Sequence, residues 1–206
     1  MAIARCPYIV HVYDTFVFQG GYYLVTERCH NTVADLLSDT TLEPLVWFEA
    51  LARAVLNALH WMHTHGIAHC DIHARNVFLR FIPDALAPHE IMQSAIAFKV
   101  GDLGLSRPIG EVRPGGTFLK AACPPETLCP NELGTPDHRV DLYQAGLLFL
   151  QFLTREMLDF SQADVLAGRP RERAEALNSP WGDFISTLLR RHVDKRPATA
   201  LDSWRA

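Results

Sequence analysis

Three polar side chains carry the chemistry that this 206-residue chain could perform. Asp71 and Asn76 lie within the run His69-Cys70-Asp71-Ile72-His73-Ala74-Arg75-Asn76, and Asp102 follows between Gly101 and Gly104. A carboxylate on a short loop can accept or orient the proton of an attacking hydroxyl. An amide oxygen and a second carboxylate are hard ligands of the kind magnesium takes. The plainer alternatives are an Asx-capped turn for Asp71 and Asn76 and a solvated loop acid for Asp102. His60, His63, His65, His69, Cys70 and His73 also invite a zinc site, but they divide between a helix face and a loop, and we read them that way.

The elements that must hold these residues follow from pattern. Leu45, Phe48, Leu51, Val55, Leu59 and Met62 recur at three- and four-residue steps, which predicts a helix over Pro44 to His65 with one buried stripe, stopped by Gly66. Ile67 to Leu79 reads as a loop running into a strand over Val77 to Phe81, and Ala97 to Val100 as another short strand. At the front, Tyr8 to Phe18 and Tyr22 to Thr26 read as two strands about a Gly20-Gly21 turn. Helical patterns cover Arg139 to Thr154, Trp181 to Arg191 and Thr199 to Trp204, with a weaker one over Ser161 to Leu166. Pro83 to Gln93 reads as an irregular insertion, and the breaker-rich stretch holding Pro108, Gly110, Pro114, Gly115 and Gly116 as a mobile surface loop.

Composition narrows the rest. Hydrophobic residues at 49% and charged residues at 20% are globular usage, so one folded domain over 1–206 is expected. A formal charge of −4 and no basic block give no support to nucleic-acid binding, and no apolar run reaches the roughly 18–20 residues of a membrane helix. Five scattered cysteines and no leader-like opening point to reduced thiols in the cytosol or nucleus.

The His69 to Asn76 run resembles the catalytic loop of protein kinases, and Lys99-Val100-Gly101-Asp102-Leu103-Gly104-Leu105 looks like their metal-binding loop, with Leu103 where Phe is commoner. Further on, Pro124-Pro125-Glu126 is similar to the family's Ala-Pro-Glu, Asp141 to Gly146 to its central-helix Asp-x-x-x-x-Gly, and Arg196-Pro197 to its late Arg-Pro. The resemblance covers about Cys6 to Trp204. It implies a mainly α fold with short β hairpins: a kinase-like C-lobe from 28–206 plus the last two strands and hinge of the N-lobe in 1–27. It implies transfer of the ATP γ-phosphate to Ser/Thr hydroxyls of a protein substrate, with Tyr less favoured, using ATP and Mg²⁺. By the same resemblance Asp71 is the base, Asn76 and Asp102 hold Mg²⁺, and Thr26 is the gatekeeper. The Glu27 carbonyl and the Cys29 amide meet the adenine edge, with Phe78 beneath the ring. Glu126 should pair with Arg196, and Asp141 should receive backbone N–H groups of the catalytic loop.

The sequence departs from the family in ways that carry expectations. The family's Gly-rich loop, strand Lys and helix Glu precede the segment beginning at Cys6, and the only lysines here are Lys99, Lys120 and Lys195. Phosphate positioning is therefore missing from these residues, and negligible transfer is expected of them. Cys70 replaces the Arg that grips a phosphorylated activation loop in many relatives, so phosphorylation at Thr117 is not expected to be the main switch. His73 stands where Ser/Thr kinases have Lys, and Ala74-Arg75-Asn76 is similar to the tyrosine-kinase loop, which leaves hydroxyl specificity open. Two alternatives stand beside the kinase reading. One is a pseudokinase or scaffold module; the other is a small-molecule phosphotransferase of the aminoglycoside or choline kinase type, against which the downstream motifs argue.

Overall fold

A computed structural model describes residues 5–38, 43–81, 96–115 and 123–205. The protein is mainly helical with small antiparallel sheets, as the patterns predict. The stretch Pro83 to Gln93, read above as an insertion, lies outside the described residues, as do Thr117 and Lys120.

Two helices build the core. α2 (Pro44–Thr64) buries Phe48, Leu51, Val55, Leu59 and Met62, the stripe its periodicity predicts, with Pro44 at its first turn. It ends at Gly66, whose φ of +77° is a conformation that side chains other than glycine adopt with strain. α5 (Arg139–Thr154) is buried from Val140 to Leu150 on all its faces, as befits a central helix packed on every side. It packs against α2 through the edge-to-face contact of Phe48 and Phe149 (5.6 Å between ring centroids), and against α8 (Pro180–Leu188). The α8 contact needs Gly146, because a Cβ there would stand 2.9 Å from a Leu189 methyl.

The strands lie at one end. β1 (Val12–Phe18) and β2 (Gly21–Thr26) form a hairpin about the expected turn, with a register shift between Val12 and Asp14; the first strand begins at Val12 and not at Tyr8 as expected, because Tyr8 to Val10 pair with another strand. β3 (Asn31–Thr32) leads into α1 (Val33–Ser38) and pairs with β5 (Val77–Phe81), which pairs with β6 (Ile96–Val100). The N-terminal segment joins this sheet: Val10 N–H donates to Val100 O and Val100 N–H to Tyr8 O, each at 2.8 Å.

Two expectations need correction. The segment from Pro108 is not wholly irregular, since β7 (Arg107–Pro108) pairs with β4 (Ile67–Ala68) and a 3-10 turn follows over Ile109–Glu111. Its breakers tolerate this because a proline at a strand edge gives up no ladder bond, and because Val112 is buried beside Ala68, Cys70 and Val140. The short helices α3 (Pro125–Leu128), α4 (Pro130–Leu133) and α7 (Arg169–Glu175) escape the periodicity analysis; each carries a proline in its first turn. α6 (Gln162–Ala167) carries a capping box in which Ser161 and Asp164 satisfy each other's backbone N–H.

Candidate active site

The loop after α2 is shaped from beneath by α5. Asp141, fully buried on its first turn, accepts from His69 N–H (2.8 Å) and His63 Nε2 (2.8 Å) on one carboxylate oxygen and from Cys70 N–H (2.7 Å) on the other. Burial alone would push this carboxyl up, but the His63 bond, the nearby imidazoles and the amide donors outweigh it and hold it below the usual range. One turn along, Gln144 Oε1 accepts from Ile72 N–H (3.0 Å) while its amide donates to Cys70 O (3.2 Å). These bonds hold Cys70 at φ +65°, a left-handed conformation that costs a non-glycine residue about 1–3 kcal/mol. Burial, with Asp141 beside it, pushes the Cys70 thiol up to about 12, so the sulfur is an inert filler.

On that support Asp71 and Asn76 meet. The Asn76 amide donates to both Asp71 Oδ2 and Asp71 O (3.0 Å each), and His73 Nε2 stands 3.4 Å from the same Oδ2. Arg75 N–H donates to His73 Nδ1, which leaves Nε2 as the ring nitrogen facing Asp71. Asp71 Oδ1 is buried and has no hydrogen-bond partner among the described residues.

Two bonds dock the Asp102 loop on this one. His69 Nε2–H donates to Gly101 O (3.1 Å), and Gly101 N–H donates to Asn76 O (2.9 Å). Burial depresses His69 against the pull of Asp141, keeping it neutral in the tautomer these bonds require. Glycine at 101 is obligatory, since a Cβ would come within 2.8 Å of Phe78 and of Val10. Asp102 itself is left-handed (φ 58°, ψ 76°), with Oδ1 accepting from Gly104 N–H at 3.2 Å.

Thr26, Glu27 and Cys29, expected at the adenine edge, make no hydrogen bond to the side chains of Asp71, Asn76 or Asp102 among the described residues; a charge network at Glu27 reaches the strand that leads to Asp102. The buried Glu27 carboxylate meets Lys99 Nζ (2.6 Å) and Arg80 (2.8 Å) and accepts from His11 N–H (2.7 Å). Burial raises this carboxyl, yet Lys99, the His11 N–H and Arg80 together bring it below its ordinary value. Lys99 lies on β6, three residues before Asp102, so the network ties Glu27 to the strand that leads into the Asp102 loop. Sequence reasoning missed these roles. A lone lysine inside an apolar strand and a glutamine inside an apolar helix were the available signals, because buried polar groups demand partners.

Downstream, Arg196 grips Glu126 through two bonds (2.7 and 2.6 Å), with both side chains fully buried, and lies 4.8 Å from the Tyr143 ring centroid. The expected ion pair and the expected Asp141 bonds are both present.

Residues 1–202 match the family model described as "Protein kinase domain". The chain is 28% identical over 205 residues to the probable serine/threonine-protein kinase zyg-1 of Caenorhabditis briggsae, covering 95% of this chain and 25% of that protein. It is 25% identical to the serine/threonine-protein kinase SMU1 of Mycosarcoma maydis (96% of this chain, 26% of that one). It is 24% identical to the serine/threonine-protein kinase dst4 of Dictyostelium discoideum (94% and 40%). The chain thus spans between a quarter and two fifths of the length of these relatives.

Proposed function

The chain belongs to the protein kinase family, and from that premise we propose that residues 28–206 are the helical lobe of a Ser/Thr-directed phosphotransferase and residues 1–27 its last small-lobe strands and hinge. The observation that carries the reading is the asymmetry of Asp71: one oxygen is tied to Asn76 and His73, while the other is buried without a partner among the described residues. An oxygen held in that state suits acceptance of a proton from a substrate hydroxyl.

The residues present fit a magnesium-nucleotide. With its amide nitrogen spent on Asp71, Asn76 has its side-chain oxygen left for a cation, and Asp102 offers the second hard oxygen. Mg²⁺ held there would neutralise charge on the phosphates. Thr26, the Glu27 carbonyl and the Cys29 amide would border the adenine, with Phe78 beneath it. The ionic grip of Lys99 and Arg80 on Glu27 would fix the hinge that presents that edge. In this reading the protein substrate supplies the hydroxyl, and serine or threonine is favoured by the serine/threonine-protein kinases to which the chain is similar.

Residues 1–206 contain no Gly-rich phosphate loop, and Lys99 is committed to Glu27. As an isolated polypeptide they should bind nucleotide weakly and transfer phosphate negligibly. The test is titration of a fluorescent ATP analogue with and without Mg²⁺. Binding strengthened several-fold by Mg²⁺ and lost in Asp102→Asn supports the reading; affinity indifferent to both overturns it. Robust ATP turnover by residues 1–206, abolished by Asp71→Asn, would overturn the impairment.

A second reading, a protein-binding module without turnover, is favoured by the β1–β2 hairpin, whose large apolar side chains are exposed on both strands. Tight protein binding by a chain that shows no Mg²⁺-dependent nucleotide binding would select it.

A further inference from the structure

Away from the catalytic loop, a cleft of about 510 Å³ opens between α7 and the segment that follows α8. Its walls carry four basic side chains, Arg171, Arg190, Arg191 and Lys195, against two acidic ones, Glu172 and Glu175, in a chain whose formal charge is −4. Most of these charges are already spent. Arg171 pairs with Glu175 (2.8 Å), Glu172 with Arg169 (2.7 Å) and Lys195 with Asp194 (3.1 Å).

Arg190 and Arg191 differ. Among the described residues neither has a carboxylate partner, and each is fixed by one main-chain carbonyl: Arg190 Nη1 donates to Lys195 O (2.7 Å) and Arg191 Nη1 to Leu166 O (2.6 Å). A guanidinium has five N–H donors, so most of each fork is unspent. Arg191 also lies along the Gly168 turn, where a Cβ would be 3.4 Å from its Cδ. The backbone from which the two arginines spring is clamped as well, because Arg196 donates from Nε to Arg190 O (2.8 Å) and from Nη2 to Arg191 O (3.3 Å). Arg196 is the buried partner of Glu126. Two guanidinium groups that line one cleft are thus each tied to main chain in advance, which lowers the ordering cost of gripping a ligand.

We propose that this cleft binds a phosphate monoester carried on a serine or threonine of a protein segment. A phosphoryl group offers three strong acceptor oxygens and close to two negative charges, which suits two guanidinium forks better than a single carboxylate does. A membrane of anionic lipid fits less well: Glu172 and Glu175 flank the arginines and would face a flat negative surface, whereas a single phosphate can enter between them. The site needs none of the nucleotide machinery, so it stands or falls separately from the kinase reading. Because Arg196 joins the cleft to Glu126, occupancy should also be felt at the Pro124-Pro125-Glu126 corner.

The test is calorimetric titration of residues 1–206, without nucleotide, against the pentapeptide Ala-Ala-phosphoserine-Ala-Ala, its unphosphorylated form, and vesicles containing phosphatidylserine. The phosphopeptide should bind at least tenfold tighter than the unmodified peptide, and Arg190→Gln with Arg191→Gln should remove that advantage. Glu175→Gln, which leaves both arginines in place, should tighten phosphopeptide binding several-fold and supplies a second reading should the double variant fail to fold. Equal affinity for the two peptides, an unchanged affinity in Glu175→Gln, or vesicle binding that survives while the phosphopeptide fails to bind would each overturn the proposal.

Discussion

The hairpin β1–β2 and the helix α5 are both apolar in sequence and opposite in fate. Along α5 every residue from Val140 to Leu150 is buried, whereas every residue of β1 is exposed and Tyr22 of β2 reaches 91% exposure. Within the described residues the hairpin's order rests on its own ladder and on stacking such as Phe16 against Tyr23 (5.1 Å, 6° between planes). A lone two-stranded hairpin is marginal in water. What ties its base to the body is polar: the Glu27 carboxylate on Lys99 and Arg80. Apolar content therefore does not decide burial here; the presence of a covering element does.

Substitutions can break or sharpen that contrast. The largest loss is expected in the helix, where Phe149→Ala should destabilise by about 3–5 kcal/mol in denaturant unfolding, the cost of a cavity between α2 and α5. A loss below about 1 kcal/mol would mean that α5 is not the keystone.

At the junction of the two regions, Glu27→Gln should cost about 3 kcal/mol near neutral pH, because it leaves the buried Lys99 ammonium short of a charged acceptor. Its pH dependence has a definite sign. The folded carboxyl lies below its ordinary value of 4.5, so its contribution is complete above that pH and is lost as pH falls through the lower, folded value. The stability gap between wild type and Glu27→Gln should therefore close under acid. A gap that widens as the solution is acidified would contradict the ionic role.

Gly146→Ala should cost about 1–3 kcal/mol, since the added methyl meets Leu188 and Leu189 at 2.9–3.0 Å. Last, Tyr22→Ser at the tip of the hairpin should stay within about 0.5 kcal/mol of wild type. A larger drop would show that this exposed tyrosine is covered in solution.

How much of this was legible in the sequence follows the range of the interactions. Elements with their own period or turn chemistry were readable: the α2 stripe, the 139–154 helix, the Val77–Phe81 strand and the Gly20-Gly21 hairpin all occur where their patterns place them. Motif resemblance also anticipated the Glu126–Arg196 pair and the amide bonds to Asp141, which no local pattern encodes. The short helices α3, α4 and α7 were not readable, because they are too short to show a period and owe their stability to packing. Nor were the Glu27–Lys99 contact or the Gln144 bridge to Ile72, each of which spans 72 positions. A buried charge announces that it needs a partner but not which one.

One carboxylate, Asp141, receives three donors from two other parts of the chain. The contour of the loop bearing Asp71 is in that sense a by-product of how the central helix is seated. A variant that lost Asp71 would still need an acceptor at residue 141 for the amides of His69 and Cys70, and with it would keep the same loop outline.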